Sequence, residues 1–287
     1  MSQPITEESC ARSVTTPDWT IHYNDAGPQD APVIVLLHGS GPGATGWSNF
    51  QNNIPELSQD FRVIAPDMPG WGRSSAVTRD ENDHAKAAVQ LLDALGIEQA
   101  AFIGNSMGGI TTLRLATEYP ERVNRIITMG PGSGAASITQ PGGGLSEGMK
   151  VLLGGYREPT AASMKALVEV MTYDSERFGT DELAEERARA ALANPEHLKN
   201  YLDGFAAGGP IAKWFSLDAL REVTVPALLI HGRDDRVVHF EHSLQLLARI
   251  PDSRLVLLNR CGHWAQVEHA EEFNRLVREF LHATAAA

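Results

Sequence analysis

The sequence predicts an α/β protein built on a mostly parallel, twisted sheet with helices on both faces and a helical insert. Three observations carry that prediction. Short apolar runs alternate with helix-length amphipathic patterns along most of the chain. The run Ala100-Ala-Phe-Ile-Gly-Asn-Ser-Met-Gly-Gly109 stops abruptly at a Gly-x-Ser-x-Gly turn, as a buried strand does when it feeds a serine into a tight turn before a helix. The alternation then lapses between Met129 and Ala227, where helix-like runs occur without a convincing strand.

In chain order, the expected strands are Thr20–Tyr23, Val33–Leu37, Arg62–Ala65, Ala100–Ile103, Ile126–Met129, Ala227–Ile230 and Leu255–Leu258. Each is a short apolar stretch of strand length. Helical periodicity places helices near Trp47–Leu57, Glu81–Leu95, Ser106–Tyr119, Phe240–Arg249 and Ala270–Leu281. Residues 132–215 are expected to form the insert, or cap, between a first core segment (1–131) and a second (216–287). The segment from Gly130 to Gly148 is crowded with glycine, serine and proline, including the tract Gly142–Gly144. Beyond it, Thr160–Tyr173 and Thr180–Leu192 have helix length, which argues against a pair of long surface loops.

Composition narrows the class. A chain of 287 residues buries roughly three quarters of its unfolded surface, enough for one large core and an inserted subdomain. With 43% hydrophobic and 21% charged residues it reads as globular rather than disordered. A net charge of −12 argues against nucleic acid or an anionic membrane as partner. The same charge means that an anionic substrate needs a local cation to capture it. Two cysteines, Cys10 and Cys261, far apart in sequence, imply no disulfide framework. The first residues lack a basic and apolar leader and no apolar run has membrane-spanning length, so a cytoplasmic protein is expected. Ligand-spaced partners for His239 and His242 are missing, so neither a metal nor a cofactor is expected.

The turn at Ser106 carries the chemistry. Gly104 and Gly108 allow close approach of strand and helix, which holds the Ser106 hydroxyl proud of the sheet and sets the Met107 N–H at a helix N-terminus. A serine hydroxyl is a poor nucleophile until an oriented base takes its proton. Of ten histidines, His263 follows the strand Leu255–Leu258 after a short loop, the same kind of strand-end position that Ser106 occupies. Such carboxyl ends line the crevice where open α/β sheets bind ligands. The orienting acid is expected after Ala227–Ile230, where Asp234 and Asp235 are both available. Asp235 is favoured because Gly232 starts the turn and sends its fourth residue toward the crevice, although both aspartates also suit an ordinary turn. The order Ser106, Asp235, His263 is the nucleophile–acid–base order of the α/β-hydrolases. An oxyanion hole needs backbone donors, and the buried run Val33–Leu37 leads into His38-Gly39-Ser40-Gly41-Pro42-Gly43. There the N–H of Ser40 or Gly41 can join that of Met107.

Four motifs together closely resemble the meta-cleavage product hydrolases, carbon–carbon bond hydrolases of bacterial aromatic and steroid ring degradation. They are His38-Gly-Ser-Gly-Pro-Gly-Ala-Thr-Gly-Trp-Ser-Asn49, Gly104-Asn-Ser-Met-Gly-Gly109, Gly232-Arg-Asp-Asp-Arg236 and Cys261-Gly-His-Trp-Ala-Gln266. The resemblance runs from about Trp19 to the C-terminus and includes Pro195-Glu-His-Leu-Lys-Asn200 and Glu268-His-Ala-Glu-Glu-Phe-Asn274. It implies an α/β-hydrolase fold with a helical cap and a substrate of the 2-hydroxy-6-oxohexa-2,4-dienoate type. The dienol becomes its keto tautomer, water adds at the distal carbonyl through the serine or with its help, and the carbon–carbon bond breaks. The leaving carbanion is held as a vinylogous enolate. On this chain the resemblance implies a triad of Ser106, Asp235 and His263, a dienoate site lined by Ser40, Gly41, Asn49, Asn105 and Trp264, and a homo-oligomer. Arg187 is the implied cation for the dienoate end. Helical spacing supports it independently, since its neighbours Leu183, Ala184, Ala190 and Ala191 include no acid, and a guanidinium fork suits a carboxylate. The chain departs from the family in the small residues after Gly132 and in the segment Tyr173-Asp-Ser-Glu-Arg-Phe178, which is one residue longer. Both touch the region that selects the distal substituent. A carboxylesterase or lactonase using the same triad, and a catalytically silent ligand receptor, are the competing expectations.

Overall fold

The computed structural model describes residues 4–137, 139, 144–208 and 213–283. The start of the chain, part of the predicted glycine tract (Gly142–Gly143) and residues 209–212 of the predicted insert lie outside the described residues.

Eight strands form one sheet: β1 (Ala11–Thr15), β2 (Thr20–Ala26), β3 (Val33–Leu37), β4 (Arg62–Pro66), β5 (Ala100–Asn105), β6 (Val123–Met129), β7 (Ala227–Gly232) and β8 (Ser253–Leu258). Their order is β1-β2-β4-β3-β5-β6-β7-β8. The pairs β1/β2 and β2/β4 are antiparallel, and from β4 to β8 every pairing is parallel. All seven expected strands occur. The eighth, β1, escapes pattern reading because its Ala-Arg-Ser-Val-Thr lies at the sheet edge, largely in solvent, and carries no apolar run.

The core sits on both faces of the sheet, and the period-two alternation of β3 shows why. Val35 and Leu37 face one cluster with Phe102, Leu91, Leu113 and Leu115, while Ile34 and Leu36 face another with Ile103, Phe273, Val277 and Phe280. Burying each such side chain contributes about 1.5–3 kcal/mol. The strands β5 and β7 are buried along their whole lengths, as parallel strands covered on both faces must be.

Four of the expected helices occur as His84–Ala94, Met107–Glu118, Glu241–Leu247 and Ala270–Ala283. The fifth does not form as one piece. Residues Trp47–Leu57 split into Gly46–Phe50 and Ile54–Leu57. Pro55 has no N–H to give to the carbonyl of Gln51, which ends the first turn. Asn53, at the break, is fully buried and donates through Nδ2 to Gln266 O and Asn274 Oδ1.

Between β6 and β7 the described residues contain helices and no strand: Glu147–Arg157, Ala161–Met171, Ser175–Phe178, Asp181–Ala193 and Pro195–Ala206. The first four begin at Ser146, Thr160, Asp174 and Thr180, whose side chains each accept a backbone N–H of the first turn. Each such cap contributes about 1 kcal/mol. The helix Glu147–Arg157 was not expected from the sequence, since Gly148, Gly154 and Gly155 dilute its periodicity.

Candidate active site

Strand ends place the chemistry. The loop 38–44 leaves β3, Ser106 follows β5, Asp235 follows β7 and His263 follows β8, all at the carboxyl edge of the sheet. Ser106 sits at φ 53, ψ −113, a conformation that L side chains rarely adopt. The turn is that tight because strand and helix touch. A Cβ at Gly104 would come within 2.1 Å of Gly108 O, and one at Gly108 within 2.0 Å of Leu37 O. The Ser106 N–H is held by Met129 O at 2.7 Å, so the end of β6 steadies the elbow.

Asp235 and His263 meet in the interior. His263 Nδ1 lies 2.7 Å from Asp235 Oδ2, both side chains almost wholly buried. A carboxylate only accepts, so Nδ1 carries the proton and Nε2 keeps its lone pair. The other carboxylate oxygen accepts the Val237 and Val238 N–H groups at 2.7 and 2.9 Å. Burial alone would push the Asp235 carboxyl up, but the charge and hydrogen bonds of His263 and His231 hold it well below the usual range. Asp234 instead turns outward to Arg233 at 3.2 Å, which separates two aspartates the sequence left close in rank.

His231 is a participant that sequence reasoning missed. It is fully buried, with Nε2 at 3.2 Å from Asp235 Oδ2 and 2.9 Å from Val238 O. Both neighbours are acceptors, so this nitrogen carries a proton, and Nδ1 meets Ser243 Oγ at 2.7 Å. The available signal was its place, four residues before Asp235 at the end of a buried strand.

A pocket is lined by Ser40, Gly41, Asn49, Asn105, Ser106, Arg187, His263 and Trp264, with Met149, Leu152, Met171 and Val237 among its apolar wall. Ser106 and His263 thus face the same space, although the Ser106 hydroxyl makes no hydrogen bond among the described residues. Neither the Ser40 nor the Gly41 N–H meets an acceptor among the described residues, and Met107 is the first residue of its helix. The two asparagines also serve the protein. Asn49 Oδ1 accepts the Gly39 N–H at 3.3 Å, and Asn105 Nδ2 donates to Met129 O and His263 O, both at 3.3 Å. Asn105 Oδ1 has no partner among the described residues.

Arg187 is the unusual charge. Its side chain is buried in the helix Asp181–Ala193, its guanidinium stands 4.9 Å from the Trp264 ring centroid, and Nε and Nη2 lack partners among the described residues. Burial pulls it down to about 10, so it remains a cation at neutral pH. A buried cation left with unmet donors beside this pocket is poised for an anionic group.

Residues between β6 and β7 also hold the histidine loop. Met171 O accepts the N–H groups of His263 and Trp264 at 2.7 and 3.3 Å. Glu268 accepts from Gly262 N at 2.6 Å and from Tyr173 N at 2.7 Å. Among the described residues no cluster of His, Cys, Asp or Glu could hold a metal ion, and no helix is long and apolar enough to cross a membrane.

Comparison with known proteins agrees with this architecture. Residues 32–270 match the family described as the alpha/beta hydrolase fold. The chain is 44% identical over 268 residues to a 2-hydroxy-6-oxo-6-phenylhexa-2,4-dienoate hydrolase of Burkholderia cepacia, covering 92% of each. It is 42% identical to a 2-hydroxy-6-oxononadienedioate/2-hydroxy-6-oxononatrienedioate hydrolase of Cupriavidus pinatubonensis, covering 97% of this chain and 98% of the relative. Among solved structures it resembles the meta-cleavage product hydrolase from Pseudomonas fluorescens with a TM-score of 0.84 and 31% identity, covering 95% of this chain and 98% of that one. The chain belongs to the alpha/beta hydrolase fold family and, within it, to the meta-cleavage product hydrolases.

Proposed function

We propose that this protein hydrolyses the carbon–carbon bond of a 2-hydroxy-6-oxohexa-2,4-dienoate, giving a 2-hydroxypenta-2,4-dienoate and a carboxylic acid. The observation that carries the reading is Arg187, a buried cation with unmet donors in the same cavity as Ser106 and His263. An esterase for neutral substrates has no use for such a charge, whereas a dienoate presents a carboxylate at one end and the reacting ketone at the other. In this reading residues 132–215 act as the cap over the site.

Chemically, Arg187 holds the carboxylate, with Trp264 stacked under its guanidinium, and draws electron density toward that end as the dienol becomes its keto tautomer. His263 Nε2 takes a proton from Ser106, or from water beside it, as oxygen adds to the distal carbonyl. The N–H groups of Met107 and the 40–41 loop hold the oxyanion. The carbon–carbon bond then breaks, the departing fragment leaves as a vinylogous enolate, and the proton held by His263 returns to the enolate oxygen to give the 2-hydroxydienoate. Where Ser106 itself added, water activated by His263 then releases the acid from the acyl-serine. Asp235 stabilises the imidazolium in between.

Among the described residues Arg187 is the one Lys or Arg on the cavity wall, and Met149, Leu152, Met171 and Val237 give that wall its apolar character. This favours an uncharged, apolar substituent on the distal carbonyl over a second carboxylate. A cytoplasmic location and a homo-oligomer belong to the same proposal, the latter tested by light scattering of the eluting protein.

The test is a panel of yellow dienoates followed in the visible. Bleaching is expected, faster with phenyl or alkyl substituents than with a carboxylated chain. Ser106→Ala is expected to stall turnover by at least about 10⁴-fold while leaving a persistent shifted absorbance of bound dienoate. No bleaching with any substituent, together with brisk p-nitrophenyl acetate turnover indifferent to Arg187→Ala, would instead establish an esterase.

A further inference from the structure

The loop that supplies the oxyanion donors is not held by the core alone. Three successive carbonyls, Gly39, Ser40 and Gly41, each accept a hydrogen bond from a buried side chain. His38 Nδ1 lies 2.8 Å from Gly39 O, and because His38 Nε2 accepts the Met68 N–H at 2.8 Å, Nδ1 is the nitrogen that donates. Tyr156 Oη donates to Ser40 O at 3.1 Å. Trp71 Nε1 donates to Gly41 O at 3.0 Å and also points at Tyr156 Oη at 3.0 Å. His38 and Trp71 belong to loops of the sheet domain, whereas Tyr156 comes from the cap helix Glu147–Arg157.

We propose that Tyr156 is a positioning residue for the oxyanion hole, its hydroxyl fixing the Ser40–Gly41 peptide so that the Gly41 N–H faces the reacting carbonyl. The inference rests on the function proposed above. In a trans peptide the C=O and N–H point in opposite directions, so an anchor on Ser40 O fixes the direction of the Gly41 N–H across the same plane. A hydrogen bond accepted by that carbonyl also polarises the N–H and strengthens it as a donor. The neighbouring Gly41–Pro42 peptide has no N–H to offer, so the Trp71 contact steadies the loop without supplying a donor. Gly41 is open to this role, since its N–H has no acceptor among the described residues and it lines the cavity beside Ser106.

The direction of the Tyr156 hydrogen bond is determined by its surroundings. Its oxygen receives the Trp71 N–H, leaving its single proton for Ser40 O. Its ring is stacked on Tyr201 at 3.6 Å and 2°, so the phenol cannot swing away without breaking that contact. Burial pushes its ionisation well above the ordinary tyrosine value, so it remains a donor. The cap meets the same loop at a second point. A Cβ at Gly43 would approach Ala191 N, in the helix Asp181–Ala193, to 2.5 Å. Cap and oxyanion loop are thus neighbours in contact at both points.

Tyr156→Phe keeps the ring and removes the hydroxyl. The expected result is a kcat lower by about 10- to 50-fold, a fraction of the 10²- to 10³-fold lost with an entire oxyanion donor, with KM changed by less than about two-fold. Inhibition by a trifluoromethyl ketone, which forms a tetrahedral oxyanion on the serine, weakens by the same factor. Dienoate affinity measured in the Ser106→Ala background is the same with Tyr or Phe at position 156. Replacing Tyr156 by p-aminophenylalanine, which retains a donor, returns most of the lost rate. A Phe variant with wild-type kcat and wild-type inhibition overturns the inference, even if its Tm falls, because lost stability alone marks a structural hydroxyl. Should the Phe variant fail to fold, p-fluorophenylalanine at position 156, which fills the place of the hydroxyl but cannot donate, carries the test: kcat is expected to fall at constant KM, and equality with wild type overturns the inference. Wild-type protein that turns over no dienoate overturns the proposed function and this inference with it; an active wild type with an indifferent Tyr156→Phe overturns this inference alone.

Discussion

Two of the buried histidine–aspartate contacts among the described residues are made through the imidazole Nδ1, and their contrast separates structure from chemistry. His22 Nδ1 meets Asp67 Oδ2 at 3.0 Å between β2 and the end of β4; His263 Nδ1 meets Asp235 Oδ2 at 2.7 Å. Both carboxylates accept backbone N–H groups, Gly46 and Arg73 for Asp67, Val237 and Val238 for Asp235. They differ in the far side of the imidazole. His22 Nε2 faces Arg73 Nη1 at 3.5 Å, a cation that cannot give it a substrate to work on. His263 lines the cavity with Ser106 and Arg187. A buried His–Asp pair is thus a common way to satisfy two polar side chains, and becomes a general base only where its second nitrogen opens onto a reactant.

The largest expected separation comes from truncating each imidazole. His263→Ala lowers kcat of the folded fraction by about 10⁵-fold, whereas His22→Ala costs about 3 kcal/mol of stability and leaves kcat of the folded fraction within about three-fold. Paired steady-state kinetics and thermal melts read both, and a large kcat loss in His22→Ala would erase the distinction.

Arg187 extends the comparison from satisfied to unsatisfied charge. Arg187→Met is expected to lower kcat/KM for dienoates by about 10²- to 10³-fold, while Tm holds or rises because a desolvated cation without a partner is removed. Neutral ester turnover is unaffected on the same reading. A Tm that falls by several degrees would show that the guanidinium is structurally paired after all.

The smallest effect concerns an imidazole with no carboxylate. His84 is fully buried, with Nε2 3.0 Å from Pro69 O, and burial pulls it down to about 4. The unfolded chain takes up that proton near pH 6.5, the native state only near 4, so between these values the unfolded state binds more protons and stability falls as pH falls. The loss reaches at most about 3 kcal/mol. Asp235 has the opposite chemistry but the same sign: its depressed carboxyl contributes stability present above about pH 4 and lost on further acidification. Urea melts between pH 7 and 4 read the first contribution, and His84→Asn is expected to flatten that slope.

Much of this site could be read in advance because its parts are local. Ala100–Gly109 shows strand, turn and helix in ten consecutive residues, and His38–Gly43 shows a glycine-rich turn after a buried run. What could not be read depended on distant pairs. The count from Gly232 only favours Asp235 over Asp234, and it takes β7 and β8 side by side to present that carboxylate to His263. His231 lies just past the expected strand Ala227–Ile230, with no role legible there, and β1, lacking an apolar run, shows no strand pattern. The helix Glu147–Arg157, diluted by three glycines, hid Tyr156, whose partner Ser40 lies 116 residues away.

By itself, then, the order of residues determined the alternation of strands and helices, the elbow at Ser106, the family and the chemical types that face the crevice, because burial periodicity and turn stereochemistry act over a few neighbouring positions. Only the tertiary structure decided which aspartate turns inward, which arginine is stripped of partners, and which carbonyls of the oxyanion loop are clamped and by whom. Those outcomes depend on directions and distances between segments far apart in the chain, and a hydrogen bond, unlike hydrophobic burial, fails when either is wrong.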